Sequence, residues 1–131
     1  MLTDPISDML TRLRNGVLAR HQRVAVPHSR LKAQILGILQ QEGYVQDIKE
    51  EATGVKRSLS VGLRYNKDRR AAIEGVSRVS RPGRRVYVGH AEIPVVKNGF
   101  GMAVLSTSRG VMTDKTAREQ KLGGELLFTL W

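Results

Sequence analysis

The spacing of apolar residues predicts two helices in the first half of the chain. After Asp4 and Pro5, which together favour a helix start, apolar residues recur at intervals of three and four. A second helix is predicted to begin after Ser29, a good N-cap, and to end at Gly43. The apolar positions are Ile6, Met9, Leu10, Leu13 and Val17 in the first helix and Leu31, Ile35, Ile38 and Leu39 in the second.

Alternation with a period of two predicts three strands around these helices. The first contains Val24 and Val26 and ends at Pro27. Residues 44–51 and 58–65 form the other two, joined by a turn at Thr53-Gly54. The first half is therefore predicted to be an α-β-α-β-β unit with both helices on one side of a small sheet.

A wholly polar segment, residues 66–70, interrupts this pattern. Nothing in the sequence Asn-Lys-Asp-Arg-Arg could be buried at low cost, so we expect a domain boundary there. The predicted domains are residues 1–66 and 67–131, with 67–70 as a linker. The fold class is therefore α+β, with two small domains.

The second half has short strands and frequent glycine, and we expect a mainly β domain with one short helix. Its elements are predicted as a hairpin of strands at 73–79 and 85–88 around a Pro82-Gly83 turn, a loose turn at 90–98, a strand at 102–105, a helix at 114–121 that Gly123 ends, and a closing strand at 126–131. Leu126, Phe128 and Leu130 are expected on one face of the closing strand.

The net charge of the chain indicates what kind of partner it binds. The 131 residues include 22 Lys and Arg against 12 Asp and Glu, a net charge of +10, and both halves are basic. A polyanion is therefore the expected partner. Aromatic residues make up only 5% of the chain, so recognition has to rely on charge and hydrogen bonds more than on base stacking.

The amino-acid composition also excludes several kinds of site and of protein. The chain has no cysteine, which excludes disulfides, thiolate nucleophiles and cysteine-containing zinc sites. No apolar run is long enough to span a membrane, and the N-terminus does not resemble a signal peptide, so a cytoplasmic protein without membrane contact is expected.

The search for catalytic or cofactor motifs finds little. Gly99 and Gly101 begin like a dinucleotide loop, but the third glycine is missing, and the three histidines are too far apart in sequence for a local metal site. We therefore predict no cofactor and no metal. A serine hydrolase in which Ser106 or Ser108 is served by His90 and Asp114 stays open, because triads assemble in space.

Three consecutive hydroxyls, Ser106, Thr107 and Ser108, are the most unusual feature of the chain. They follow an apolar strand, and they either close their own turn or bind polar edges on a partner. Upstream, the hairpin carries Arg78, Arg81, Arg84 and Arg85 and is followed by Tyr87. These arginines are either solvated or in contact with phosphates, and the same alternatives hold for the polar face of the first helix.

The residues around these hydroxyls resemble a known signature. Gly101-x-x-Val104-Leu105-Ser106-Thr107-x-x-Gly110-Val111-Met112, followed by Ala117-Arg118, is similar to the motif of the ribosomal protein S-eight family of the small subunit, bacterial type. Residues 4–12, 42–44, 78–87 and 123–131 also resemble that family, so the similarity extends over the chain in order. Phe128 stands where many members carry cysteine, on a strand face expected to lie in the core.

This resemblance implies a non-enzymatic protein that binds the central domain of 16S ribosomal RNA and supports small-subunit assembly beside neighbouring ribosomal proteins. It implies a location on cytoplasmic ribosomes, or on those of an organelle. Some family members also repress their own operon by binding its messenger RNA, which is the alternative function. A serine hydrolase is the third hypothesis.

The resemblance and the residue chemistry together give two sets of candidate RNA-binding residues. The main set is Ser106, Thr107, Ser108, Gly123, Gly124, Glu125 and Tyr87. The phosphate-binding set is Arg81, Arg84, Arg85, Lys97, Arg109, Arg14, Asn15, Lys32 and Lys56.

Each part of the main set has an expected role. The hydroxyls read the shallow minor groove of A-form RNA, and Tyr87 stacks on an irregular base. The two glycines let the backbone approach RNA. Glu125 either orients a neighbouring side chain or accepts a hydrogen bond from a base amino group or a 2′-hydroxyl.

Overall fold

The computed structural model describes residues 4–131, and its contacts divide them into two units. The N-terminal unit is residues 5–74, and the C-terminal unit is residues 75–131 together with Asp4. Helices and antiparallel sheets occur together in the chain, which confirms the predicted α+β class.

The N-terminal unit has the predicted α-β-α-β-β order. Its elements are α1 (Pro5–Leu18), β1 (Arg23–Pro27), α2 (Arg30–Gln41), β2 (Val45–Thr53) and β3 (Lys56–Leu63). The three strands form an antiparallel sheet in the order β1-β3-β2. β3 is therefore the central strand, in agreement with its apolar alternation.

Local sequence explains how α2 begins and ends. The Ser29 hydroxyl accepts a hydrogen bond from the Lys32 backbone N–H at 3.1 Å, as an N-cap does. After the helix, Gly43 has a φ of +84°, a left-handed conformation that glycine adopts at no steric cost.

The two faces of this sheet differ in character. Val26 lies opposite Leu59, and Ile48 lies opposite Val61, so one face is apolar and its central residues are buried. On the other face the Arg23 guanidinium donates to the carboxylate of Asp47 at 2.9 Å and to the Ser60 hydroxyl at 2.8 Å.

The C-terminal unit is mainly β with one short helix, as predicted. It contains β4 (Val76–Arg78), β5 (Tyr87–Val88), β6 (Met102–Thr107), β7 (Gly110–Thr113), α3 (Asp114–Glu119) and β8 (Gly124–Leu130). The sheet order is β4-β8-β6-β7, and β5 also pairs with β8. Two short 3-10 turns, His90–Glu92 and Val96–Gly99, occupy the region predicted as a loose turn.

The predicted hairpin of β4 and β5 is wrong in its pairing. Both strands run along the same edge of β8, with Val76 opposite Leu130 and Tyr87 opposite Glu125. The segment from β4 to β5 is therefore one edge strand interrupted by a loop. We call residues 81–85 the arginine loop; its turn is closed by mutual backbone hydrogen bonds between Arg81 and Arg84 at 2.9 and 3.0 Å.

The closing strand also departs from simple alternation. The β6–β8 register shifts after Val104, which lies opposite Phe128, so that Leu105 lies opposite Leu126. This bulge places Leu126 and Phe128 on opposite faces, contrary to the prediction. Phe128 is fully buried, as expected for a core position.

One face of this sheet packs against α3. Its buried residues include Ala103, Leu105, Met112 and Leu126 from the strands and Ala117 from the helix. The helix begins at its predicted N-cap, where the Thr113 hydroxyl accepts from the Thr116 N–H at 3.2 Å. It ends at Glu119, two residues earlier than predicted.

The segment after β3 explains where the two units divide. The Ala72 N–H donates to the Arg64 carbonyl at 2.9 Å, and Tyr65 bridges to Ala71. These contacts hold residues 66–74 on the N-terminal unit, so the division falls after Glu74, whereas a boundary was expected after Asn66. The division into domains 1–66 and 67–131 stays a prediction.

Two searches of the described residues bear on the predicted partners. No helix of residues 4–131 is long and apolar enough to cross a membrane. Within the same residues, no group of three or more His, Asp or Glu side chains is placed to hold a metal ion.

Candidate nucleic-acid interface

The three adjacent hydroxyls lie at the tip of the β6–β7 hairpin and divide into two roles. Thr107 donates to the Gly110 carbonyl at 2.8 Å and accepts from the Arg109 N–H at 3.2 Å. Gly110 has a φ of +105°, which the tight turn requires. Thr107 therefore closes the turn, which is the first of the two alternatives for the hydroxyls.

The register of three strands brings predicted site residues into one row across the sheet. Ser106 on β6 lies opposite Glu125 on β8, and Glu125 lies opposite Tyr87 on β5. Directly paired residues point to the same face, so these three side chains share one face. Because adjacent strands are about 4.8 Å apart, Ser106 and Tyr87 are about 10 Å apart across the row.

The row is open to solvent at both ends. Ser108 and Arg109 at the hairpin tip are exposed, and Tyr87 is 69% exposed. Ser106 and Glu125, between them, are half-buried. We call Ser106, Ser108, Glu125 and Tyr87 the reading row.

Gly123 and Gly124 are required by contacts inside the protein. A Cβ on Gly123 would lie 2.4 Å from the Val88 carbonyl oxygen, and one on Gly124 would lie 2.2 Å from the Ser106 carbonyl oxygen. Both distances are far below van der Waals contact with rigid backbone. The glycines therefore let β8 approach β5 and β6, whether or not RNA also approaches them.

Glu125 is tied to two neighbouring side chains. Its carboxylate accepts from the Ser80 hydroxyl and, at 3.0 Å, from the Arg85 guanidinium. Burial raises the pKa of Glu125, but the hydrogen bonds from Ser80 and Arg85 and the charges of Arg85 and Arg78 outweigh it, so the pKa lies below its ordinary value. Glu125 is therefore ionised at neutral pH.

The arginine loop lies beside the reading row. Arg81, Arg84 and Arg85 are all exposed, and Arg85 reaches the row through Glu125. Arg78, the last residue of β4, is different because its side chain is only 6% exposed. Its guanidinium pairs with the Asp4 carboxylate at 3.1 Å and donates to the Leu127 carbonyl. Arg78 was expected to contact phosphate, but its guanidinium is used within the protein.

Lys97 lies away from the reading row. It stands over the Trp131 ring with Nζ 4.7 Å from the ring centroid, next to the end of β8. The row is at the other end of that strand, where Glu125 follows Gly124. With about 3.3 Å per residue, the two ends are about 20 Å apart.

The residues of the N-terminal unit that were predicted to contact phosphate differ in exposure. Arg14, Asn15 and Lys56 are exposed, as a phosphate contact requires. Lys32 is only 6% exposed, and its Nζ points to the Pro27 carbonyl at 3.4 Å. The stem of Lys32 is buried beside β1, so a phosphate contact at this residue stays a prediction that its burial does not favour.

The serine-hydrolase arrangement receives no support from the carboxylate that it needs. Asp114 is buried, and its oxygens accept from the Ala103 N–H at 3.2 Å and from Arg118 at 3.0 Å. Asp114 is therefore engaged by a strand and by its own helix, where it does not orient a histidine.

Sequence reasoning missed Ser80. This serine is completely buried, accepts from the Val86 N–H at 3.2 Å and donates to Glu125. The sequence predicts a turn residue for a serine near four arginines, and only its hydrogen bond to Glu125 shows that it faces the row.

The comparisons with known proteins identify the family of the chain. The family described as Ribosomal protein S8 matches residues 4–131. The protein named small ribosomal subunit protein uS8 from Sorangium cellulosum is 54% identical over 131 residues, with both chains covered completely. Its namesake from Nitratidesulfovibrio vulgaris is 53% identical over 131 residues, again covering both chains completely, and that from Anaeromyxobacter sp. strain K is 52% identical over 129 residues, 98% of each. The chain therefore belongs to the ribosomal protein S8 family.

Proposed function

We propose that this protein is a structural constituent of the small ribosomal subunit that binds the central domain of 16S ribosomal RNA through the reading row and the arginine loop. Its relatives are named as small-subunit ribosomal proteins along their whole length. As a member of this family it is a structural protein and not an enzyme. Its place is the ribosome of the cytoplasm, beside other small-subunit proteins.

The observation that carries the proposal is the pairing of short hydroxyls with a flanking cationic loop. Ser106 lies on β6 and Ser108 lies at the tip of the β6–β7 hairpin, and neither carries a charge. The minor groove of A-form RNA is shallow and displays 2′-hydroxyls and base edges, which such side chains can reach. The exposure of the arginines at the neighbouring sheet edge supports contacts with the phosphates beside that groove.

The arginine contacts and the reading-row contacts contribute differently to RNA binding. Arginine-to-phosphate contacts supply affinity that is sensitive to salt and that depends on the positions of the phosphates and not on the bases. Hydroxyl, carboxylate and aromatic contacts of the row select the irregular site within the RNA. In the N-terminal unit, Arg14, Asn15 and Lys56 add contacts of the first kind.

The alternative target, an operon messenger RNA, would use the same surface, and no observation on this chain favours it. The two RNAs are separated by comparing affinities at one salt concentration.

Replacing Ser106 and Ser108 together by alanine tests the row while Thr107 keeps the turn closed. Loss of two hydrogen bonds of about 1 kcal/mol each weakens binding to a 16S central-domain fragment about thirty-fold. Ser77→Ala, an exposed hydroxyl of β4, is the matched control and leaves affinity unchanged. Equal affinity of the double variant and the wild type would show that the reading row is not part of the binding site.

A further inference from the structure

The arginine loop carries like charges that act against a fixed shape. Three arginines occur within its five residues, and they repel one another. Between its two ends the loop is closed by the mutual backbone hydrogen bonds of Arg81 and Arg84. A defined arrangement of its guanidinium groups therefore needs support from the sheet.

Both ends of the loop meet the sheet at one residue. The Ser80 N–H donates to the Leu126 carbonyl at 3.1 Å, and the Leu126 N–H donates to the Val86 carbonyl at 2.9 Å. Leu126 directly follows Glu125 in β8. The point where the loop leaves and rejoins the sheet is therefore next to the carboxylate of the reading row.

The Ser80 hydroxyl joins these parts. It accepts from the N–H of Val86, the residue that follows the loop, at 3.2 Å, and it donates to the Glu125 carboxylate. That carboxylate is 16% exposed and accepts from Arg85, which is 48% exposed. Hydrogen bonds thus connect the completely buried hydroxyl of Ser80, through Glu125, to the solvent-exposed guanidinium of Arg85.

We propose that Ser80 is a positioning residue that, through Glu125, sets the arrangement of the arginine loop and so the preference for cognate RNA over other RNA. Ser80 is 0% exposed and cannot touch RNA itself. Glu125 in this account is first a fixed counter-charge for Arg85. This inference rests on the proposed function, because it concerns how that binding surface is held.

The chain of contacts predicts a distinctive pattern of effects. Without the Ser80 hydroxyl, Glu125 and Arg85 lose their fixed geometry, but every arginine keeps its charge. Affinity for unrelated RNA, which depends on charge, is then retained, while affinity for the cognate fragment falls. A change in the ratio of the two affinities is therefore the measurement that matters.

The experiment compares Ser80→Ala, Glu125→Gln and the double variant with wild type. Each is titrated with a 16S central-domain fragment and with an unrelated RNA duplex of equal length at one salt concentration. Ser80→Ala lowers the affinity ratio by up to about tenfold, a limit set by the energy of one hydrogen bond to a charged group. In the Glu125→Gln background, Ser80→Ala lowers the ratio little further, because it acts through the same carboxylate.

Controls separate positioning from general damage. Ser77→Ala makes the same chemical change three residues earlier at an exposed site and leaves the ratio unchanged. Hydrogen exchange of the Val86 amide, which the Ser80 hydroxyl accepts from, becomes faster in Ser80→Ala if the variant is folded. If it does not fold, Ser80→Cys replaces it, since cysteine is of similar size and donates only weakly.

The outcomes distinguish this inference from the proposed function. A wild-type protein with no preference for the 16S fragment would overturn the proposed function. A wild type with that preference, joined by a folded Ser80→Ala or Ser80→Cys with an unchanged ratio, would overturn the positioning role alone. Additive losses in the double variant would also overturn it.

Discussion

At the scale of single residues, Thr107 and Ser108 are neighbours with opposite surroundings. Thr107 makes two hydrogen bonds within its own turn, whereas Ser108 is exposed at the tip. Adjacent hydroxyls of this kind look alike in the sequence. Their roles separate only when the hairpin register is known.

Thr107→Val therefore lowers the free energy of unfolding by about 1–2 kcal/mol, because it removes both turn hydrogen bonds while keeping the β-branched shape. Ser108→Ala leaves the unfolding free energy within about 0.5 kcal/mol of wild type. Denaturant unfolding of the two variants measures the difference. Equal stability of Thr107→Val and wild type would contradict the role assigned to Thr107.

Glu125 makes a pH-dependent contribution to stability. Its pKa in the folded protein is lowered from the ordinary value of 4.5, so the unfolded chain takes up the proton first as the pH falls. The stabilisation is present above that ordinary value and is lost as the pH falls through the lower, folded pKa.

Unfolding curves of wild type and Glu125→Gln, recorded from about pH 7 down to about pH 3, measure this contribution. The excess stability of the wild type is expected to shrink towards the acid end of the series. A stability difference that is the same throughout the series would contradict the ionised pairing with Ser80 and Arg85.

At the scale of elements, the sequence predicted well wherever a pattern is local. The helix start at Pro5, the caps Ser29 and Thr113 and the alternation of β3 depend on near neighbours, and all are confirmed. The pairing of β4 and β5 with β8 depends on residues 36 to 54 positions away. No local signal encodes such a partner, which is why a hairpin was predicted instead.

The candidate site shows the same limit. Ser106, Glu125 and Tyr87 were each selected from residue chemistry and family resemblance, but the row they form exists only through the registers of three strands. The bulge opposite Leu105 reverses the face of the residues that follow it and is equally invisible in the alternation. The burial of Lys32 was not visible in the sequence either, because a lysine stem can be buried beneath its charge.

Two glycine substitutions test the close approach of β6 and β8. Gly124→Ala places a methyl group 2.2 Å from the Ser106 carbonyl oxygen and is expected to cost about 1–3 kcal/mol of stability. Gly37→Ala, on the exposed side of α2 with no atom within 4 Å of the new Cβ, is expected to stabilise the protein by about 0.5–1 kcal/mol. Thermal unfolding of both variants gives the comparison, and a neutral Gly124→Ala would refute the tight strand approach.

At the scale of the whole molecule, the net charge of +10 is expected to make RNA binding steeply dependent on salt. Arg81→Gln and Arg84→Gln should each reduce the slope of log K against log salt by about one, for cognate and unrelated RNA alike. Arg30→Gln, an exposed arginine of α2 outside both predicted sets, is the control and should change the slope less. Slopes unaffected by the loop variants would place the phosphate contacts elsewhere.

Chemical footprinting of small-subunit RNA tests the central claim, that the reading row selects a site in the 16S central domain, most directly. Wild-type protein is expected to protect one irregular helical region of that domain. The Ser106→Ala, Ser108→Ala double variant is expected to lose this protection at protein concentrations where Ser77→Ala retains it. Protection outside the central domain, or full protection by the double variant, would contradict the account.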